Sequence, residues 1–133
     1  MIRRRDDYVG RGLPYLVGEL NGKVVGYAYA SPFRTRSAYR YSLEDSIYVA
    51  PDACRAGIGL ALLNELIARC DRLGYRQLVA VIGDADNLAS IRLHRKAGFV
   101  HAGVFHGIGY KLGRWIDSVL MQRSLGAGED QPP

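Results

Sequence analysis

The chain has 133 residues, 48% hydrophobic and 23% charged, which is the size and balance of one globular domain with its own core, and no apolar run approaches the length of a membrane span. Its net charge of +5 comes from 18 Lys and Arg against 13 Asp and Glu; mostly arginines spread along the chain, these suit an anionic partner, nucleotide cofactor or nucleic acid alike. Cys54 and Cys70 have no CxxC or Cys/His spacing, so neither a disulfide nor a zinc site is expected, and the basic start "MIRRRDDYVGRG" lacks the apolar stretch of a secretory leader, which points to the cytoplasm.

In chain order, "PYLVGEL" and "KVVGYAYASPF" read as two strands joined by Asn21-Gly22, a dipeptide suited to a tight hairpin turn. "LEDSIYV" is a third strand, ended by Pro51-Asp52. Leu62, Leu63, Leu66, Ile67, Cys70 and Leu73 then recur at helical spacing, and Gly74 supplies the stop. "RQLVAVIG" is a short, nearly continuous apolar run of the kind that forms a buried strand. After the polar break at 84–87, Asn87 is placed to cap a short helix, "LASIRLHRKA", that stops at Gly98. "FVHAGVFHGIGYK" and "WIDSVLMQRSL" are strands about a Leu-Gly-Arg turn, and residues 126–133 are expected to be a flexible tail. The order β-β-β-α-β-α-β-β, without internal repeat, implies an α+β fold on a mixed sheet, in a single domain over 1–125.

The stretch "SIYVAPDACRAGIGLALLNEL" carries the chemistry. It places Gly57 and Gly59 where a loop becomes a helix, so that successive N–H groups at the positive end of the helix dipole can face a diphosphate. No Lys follows either glycine, which excludes a P-loop, and the third glycine of a dinucleotide fingerprint is missing, since Leu62 stands in its place. Taken alone, the two glycines are read equally well as a turn.

Together with the following strand and "DADNLASIRLHRKAGF", this segment resembles the acetyl-CoA half of the GNAT acetyltransferase superfamily, over about residues 12–125. "PFRTRSAYRYSLEDSIYV" and "GYKLGRWIDSVLMQR" are similar to the branch of phosphinothricin and methionine-sulfone N-acetyltransferases. The resemblance implies a central twisted, mostly antiparallel sheet flanked by helices, with the family's usual first strand and most of its first two helices lacking. It implies acetyl-CoA as co-substrate, no metal, a small-molecule amine acceptor and a homodimer, with neither nucleic acid nor membrane as partner.

On residues, the resemblance implies that the backbone of Ile47, Tyr48 and Val49 holds the acetyl carbonyl and first amide of the cofactor. Arg55, Ala56, Gly57, Ile58, Gly59 and Leu60 would wrap the pyrophosphate, although Cys54 stands where the family has Gln or Arg. Asn87 and Ser90 would touch the cofactor. His94 occupies the place of a family tyrosine near the departing sulfur, where a histidine can protonate a thiolate; packing or capping is its other reading. Arg34 and Arg36, with Thr35, Tyr39 and Ser46, would bind the acceptor acid, because an arginine fork matches a carboxylate. Glu44 is the expected base that removes a proton from the α-ammonium. Asp45, its neighbour, is a possible rival as base and a further residue of the acceptor site, although on a strand it would face the opposite way. His101 and His106 read as strand-surface residues; Trp115 and Asp117 resemble the branch's terminal segment, and core packing or a subunit contact explains a lone Trp equally well.

Three functions follow from these readings. The first is direct acetyl transfer to a small amino acid such as methionine sulfone, methionine sulfoximine or phosphinothricin. The second is the same fold acting on a polyamine or a protein N-terminus, and the third a degenerate module that holds acyl-CoA or lies on nucleic acid through its arginines.

Overall fold

In the computed structural model, which describes residues 2–4, 12–84 and 87–133, the chain opens with a short strand, β1 (Ile2–Arg4), followed by the hairpin of β2 (Tyr15–Leu20) and β3 (Lys23–Pro32). The helix remnant that the family resemblance implied in the opening residues falls largely on 5–11, outside the described residues. Asn21 (φ 53°) and Gly22 (φ 79°) both take the positive φ that a two-residue hairpin requires. Strand β4 (Ser42–Val49) pairs antiparallel with β3 from Leu43 to Val49.

A 3₁₀ turn over Pro51–Ala56 leads into α1 (Ile58–Arg72), and Pro51 favours that turn by fixing its own φ at the first position. Ile58, Leu62, Leu63, Leu66, Ile67 and Cys70 form the buried stripe of α1, and each fully buried Leu or Ile contributes about 1.5–3 kcal/mol. Gly74 (φ 92°) closes the helix, with the Tyr75 N–H donating to the Cys70 carbonyl at 3.2 Å. Strand β5 (Gln77–Ile82) follows, then α2 (Leu88–Lys96), where the Asn87 side chain accepts from the Ser90 N–H at 3.2 Å and Gly98 (φ 95°) makes the stop. Strands β6 (Val100–Lys111) and β7 (Arg114–Ser124) turn at Leu112 and Gly113, both at positive φ.

The sheet order is β1-β2-β3-β4-β5-β7-β6, antiparallel throughout except between β4 and β5. Cross-strand partners share a face, so Leu16, Ala28, Ala30, Leu43, Leu78, Ala80 and Met121 lie on one side, buried beneath α1 and α2. The opposite face presents Glu44, Ser46, Val79 and a run of tyrosines; Tyr15 and Tyr29 stack with ring centres 5.2 Å apart, and Tyr27 meets Tyr48 at 5.6 Å. Residues 126–133, expected as a flexible tail, form turns whose carbonyls at Gly128, Gln131 and Pro132 accept from the Arg76 guanidinium at 2.9–3.0 Å. Among the described residues no helix is long and apolar enough to cross a membrane.

Candidate active site

Strands β4 and β5 pair over three residues only, Ser42 with Gln77, Leu43 with Leu78 and Glu44 with Val79, although β4 continues to Val49 and β5 to Ile82. Beyond Glu44 they part. The β4 backbone is then paired with β3 alone, and a cleft of about 260 Å³ opens between residues 44–47 of β4, residues 80–83 at the end of β5, and Asn87, Ser90 and His94 of α2. Free strand-edge N–H and C=O groups on such a wall can receive an extended, amide-bearing chain as if it were a further strand. Ser46, Ile47, Tyr48 and Val49 all lie on this stretch; the Tyr48 side chain is half-exposed on the tyrosine face.

At the head of α1, Gly57 sits in the left-handed region (φ 76°, ψ 8°), no side chain among the described residues caps the helix, and its first turn carries no acidic residue. The N–H groups of Ile58, Gly59 and Leu60 therefore retain the partial positive charge of an uncapped helix start, which suits an anion. The two glycines serve different ends. Gly57 supplies the backbone turn, whereas a Cβ on Gly59 would lie 3.3 Å from Leu93 and 3.4 Å from Val49, so its small size lets α1 approach α2 and β4. The backbones of Arg55 and Ala56 belong to the preceding 3₁₀ turn, and their side chains lie outside the described ones. Cys54 is exposed there, with Sγ 3.5 Å from the Ala50 carbonyl.

Asp45 and Glu44 point to opposite faces of β4, as alternation requires. Asp45 is buried, and its Oδ2 lies 2.8 Å from His94 Nε2; the side chains are 1% and 3% exposed. The Nδ1–H of His94 donates to the Ser90 carbonyl at 2.8 Å, and the ring meets Phe99 edge-on at 4.9 Å. Burial would lower the pKa of His94, but the bond to Asp45, its charge and the Ser90 carbonyl together raise it. Both ring nitrogens are thus engaged. His94 is packed in the interior as well as hydrogen-bonded, and protonating a thiolate in the cleft would require breaking one of its two bonds. The sequence reading missed this pair, 49 residues apart in the chain; its signal was an Asp on the buried face of a strand and a His on the buried side of α2.

Glu44 is half-buried at the foot of the cleft, where burial and then the charge of Asp45 raise its pKa while Arg34 lowers it. The Arg34 guanidinium stacks 4.1 Å over the Phe33 ring and donates to the Phe33 carbonyl. Arg34, Thr35, Arg36, Tyr39 and Arg40 line one open basic cavity of about 680 Å³. Arg34 and Tyr39 also border a smaller, largely apolar cavity of about 230 Å³, walled by Val79, Val81, Phe105 and Leu120. Of these cations, Arg34 is the one whose charge acts on Glu44, across β4 from Asp45 and His94.

His101 and His106 are exposed on β6, and His106 Nδ1 stands 3.5 Å from Asp117, whose carboxylate accepts from the Gly107 N–H at 2.7 Å. Trp115 is 69% exposed and leans on Tyr110, which corrects the reading of it as core packing.

The model described as the Acetyltransferase (GNAT) family matches residues 2–99. The chain is 58% identical over 122 residues to a phosphinothricin N-acetyltransferase of Alcaligenes faecalis, covering 92% of this chain and 62% of that protein. It is 42% identical over 114 residues to an L-methionine sulfoximine/L-methionine sulfone acetyltransferase of Salmonella typhimurium, covering 86% and 66%. It therefore spans less than two thirds of the length of either relative. A crystal structure of a GNAT superfamily phosphinothricin acetyltransferase from Sinorhizobium meliloti, in complex with AcCoA, superposes with a TM-score of 0.89 at 52% identity, over 94% of this chain and 68% of that one.

Proposed function

The chain belongs to the GNAT acetyltransferase family, and from that premise we propose that it moves an acetyl group from acetyl-CoA directly to the α-amine of a small amino acid or analogue. Phosphinothricin, methionine sulfoximine and methionine sulfone, for which its relatives are named, are the first acceptors to try. The observation that carries the proposal is the parting of β4 and β5 immediately after Glu44, below a helix start without cap or acid.

Acetyl-CoA supplies the activated thioester. The uncapped N–H groups of Ile58, Gly59 and Leu60 would hold its pyrophosphate, with the turn of Arg55, Ala56 and Gly57 around it, and the Asn87 amide and Ser90 would border its arm. The open edge of Ile47, Tyr48 and Val49 would fix the arm in extended form and polarise the acetyl carbonyl. Arg34 and Arg36, with Thr35, Tyr39 and Ser46 nearby, would bind the acceptor's acid group. Glu44 would take the proton from the acceptor's ammonium, since an ammonium has no lone pair to attack with. The enzyme would work in the cytoplasm as a homodimer, a second copy covering the exposed Ile108, Leu112 and Trp115 of the β6–β7 hairpin.

The test is thiol release from acetyl-CoA with phosphinothricin, methionine sulfone, methionine sulfoximine, spermidine and a short peptide as acceptors. Turnover confined to the first three supports the proposal. Turnover on spermidine or the peptide alone moves the chain to another acceptor class, and a melting shift with acetyl-CoA but no turnover leaves only a binding module.

A further inference from the structure

Asp45 and His94 meet at the foot of the cleft, where its two walls separate. One residue comes from β4, the other from α2, which follows β5, so their 2.8 Å bond crosses from one wall to the other. Two features show that this bond depends on a proton. The Ser90 carbonyl at 2.8 Å can only accept, so Nδ1 carries hydrogen, and a second proton must then lie between Nε2 and Oδ2. Oδ1 of Asp45 is buried and has no hydrogen-bond partner among the described residues, so the one side-chain bond of the carboxylate there is that to His94. Removing the shared proton would leave a buried anion with nothing to compensate it.

We infer that Asp45 is a positioning residue, and that its bond to His94 is a proton-dependent tie holding the two walls of the cleft at the spacing the acyl-CoA arm requires. The inference rests on the acyl-CoA reading of the cleft and adds a pH response to it: while the shared proton is present the walls are fixed, and when it leaves they loosen and affinity falls. Few other groups bear on the pair. The Cys70 thiol reaches it from α1 and is pushed up to about 12 by burial and by Asp45, so it stays neutral; Glu44 bears on it from the other face of β4, itself offset by Arg34. The ring of Phe99 supplies an apolar wall.

Calorimetric titration with acetyl-CoA between about pH 7 and about pH 9, on the wild-type chain, Asp45→Asn and His94→Gln, tests the tie. In the wild type, affinity should fall with rising pH, approaching about tenfold per pH unit once His94 titrates, the limit for one linked proton. Asp45→Asn should bind more weakly at neutral pH and lose that slope. His94→Gln offers Oδ2 an amide donor that does not titrate, so its slope should vanish too, which keeps the test available if Asp45→Asn does not fold. A wild-type slope retained in either variant overturns the inference, as does a nitrogen-15 spectrum with only one protonated His94 nitrogen at neutral pH and no proton on Asp45. Failure of acetyl-CoA to bind the wild type at all would sink the acyl-CoA reading, while the nitrogen-15 titration would still decide whether the pair shares its proton.

Discussion

Glu44 and Val79 form the last register pair of the parallel strands before β4 and β5 separate. The carboxyl at that fork has its pKa raised by burial and by Asp45 and drawn down by Arg34, with a net upward shift. A carboxylate base works only when ionised, so kcat/KM should climb as pH rises through the raised value and level off above it. Arg34→Ala removes the lowering influence and should move this acidic limb to higher pH. A limb that stays put or moves down would count against Glu44 as the base.

Glu44→Gln keeps the shape and removes the carboxylate proposed as base. General-base loss typically costs about 10²–10⁴-fold, so kcat should fall by that order, while the dissociation constant for acetyl-CoA, read by calorimetry, should hold. A variant that turns over normally would transfer the role to another group or to water.

The glycines separate backbone strain from crowding. Gly57→Ala meets nothing within 4 Å but must hold φ near 76°, a cost of about 1–2 kcal/mol, and it should also weaken acetyl-CoA binding by shifting the helix start. At Gly26, a Cβ would sit 2.7 Å from the Tyr48 carbonyl oxygen, so Gly26→Ala must push β3 from β4 and should cost about 1–3 kcal/mol or more. Gly57→Asn should recover part of the loss at the turn, because Asn tolerates the left-handed region. Equal melting temperatures for Gly57→Ala and Gly57→Asn would refute the strain argument.

The His94–Asp45 pair makes stability depend on pH in a defined direction. Its folded pKa is raised above the ordinary 6.5, so the folded chain holds the proton more tightly than the unfolded one. That stabilisation is fully present below the unfolded value and is lost as pH rises through the folded one. Melting temperature should accordingly fall with rising pH above about 6.5 more steeply in the wild type than in His94→Gln. Parallel curves would mean that the pair contributes no linked stability.

Cys54 is exposed and Cys70 is buried, with its thiol pushed up to about 12 by burial and Asp45. A disulfide reagent should therefore label one thiol quickly in the native chain and the second only on unfolding, since the thiolate is the reactive form. Rapid labelling of both would show that α1 opens readily.

The sequence by itself determined the features that depend on a few adjacent residues. Asn21-Gly22 announced the first hairpin because few other residues accept two positive φ values in succession; Gly74 and Gly98 marked the helix ends for the same reason, and Asn87 marked a helix start because its side chain can take the place of a missing backbone acceptor. Alternation along β4 sufficed to set Glu44 and Asp45 on opposite faces.

Tertiary structure decided what those faces meet. Periodicity shows which side of an element is buried but not its partner, so neither the sheet order that places β7 between β5 and β6 nor the opening after Glu44 could be read from any one segment. Gly57 and Gly59 look alike in sequence, and only packing against Leu93 and Val49 gives Gly59 its separate reason. His94 read as an acid near the departing sulfur or as a packing or capping residue, and not as the partner of Asp45, because that partner lies 49 residues away; the bond forms only when the crossover through α1 brings β4 and α2 to the same end of the sheet.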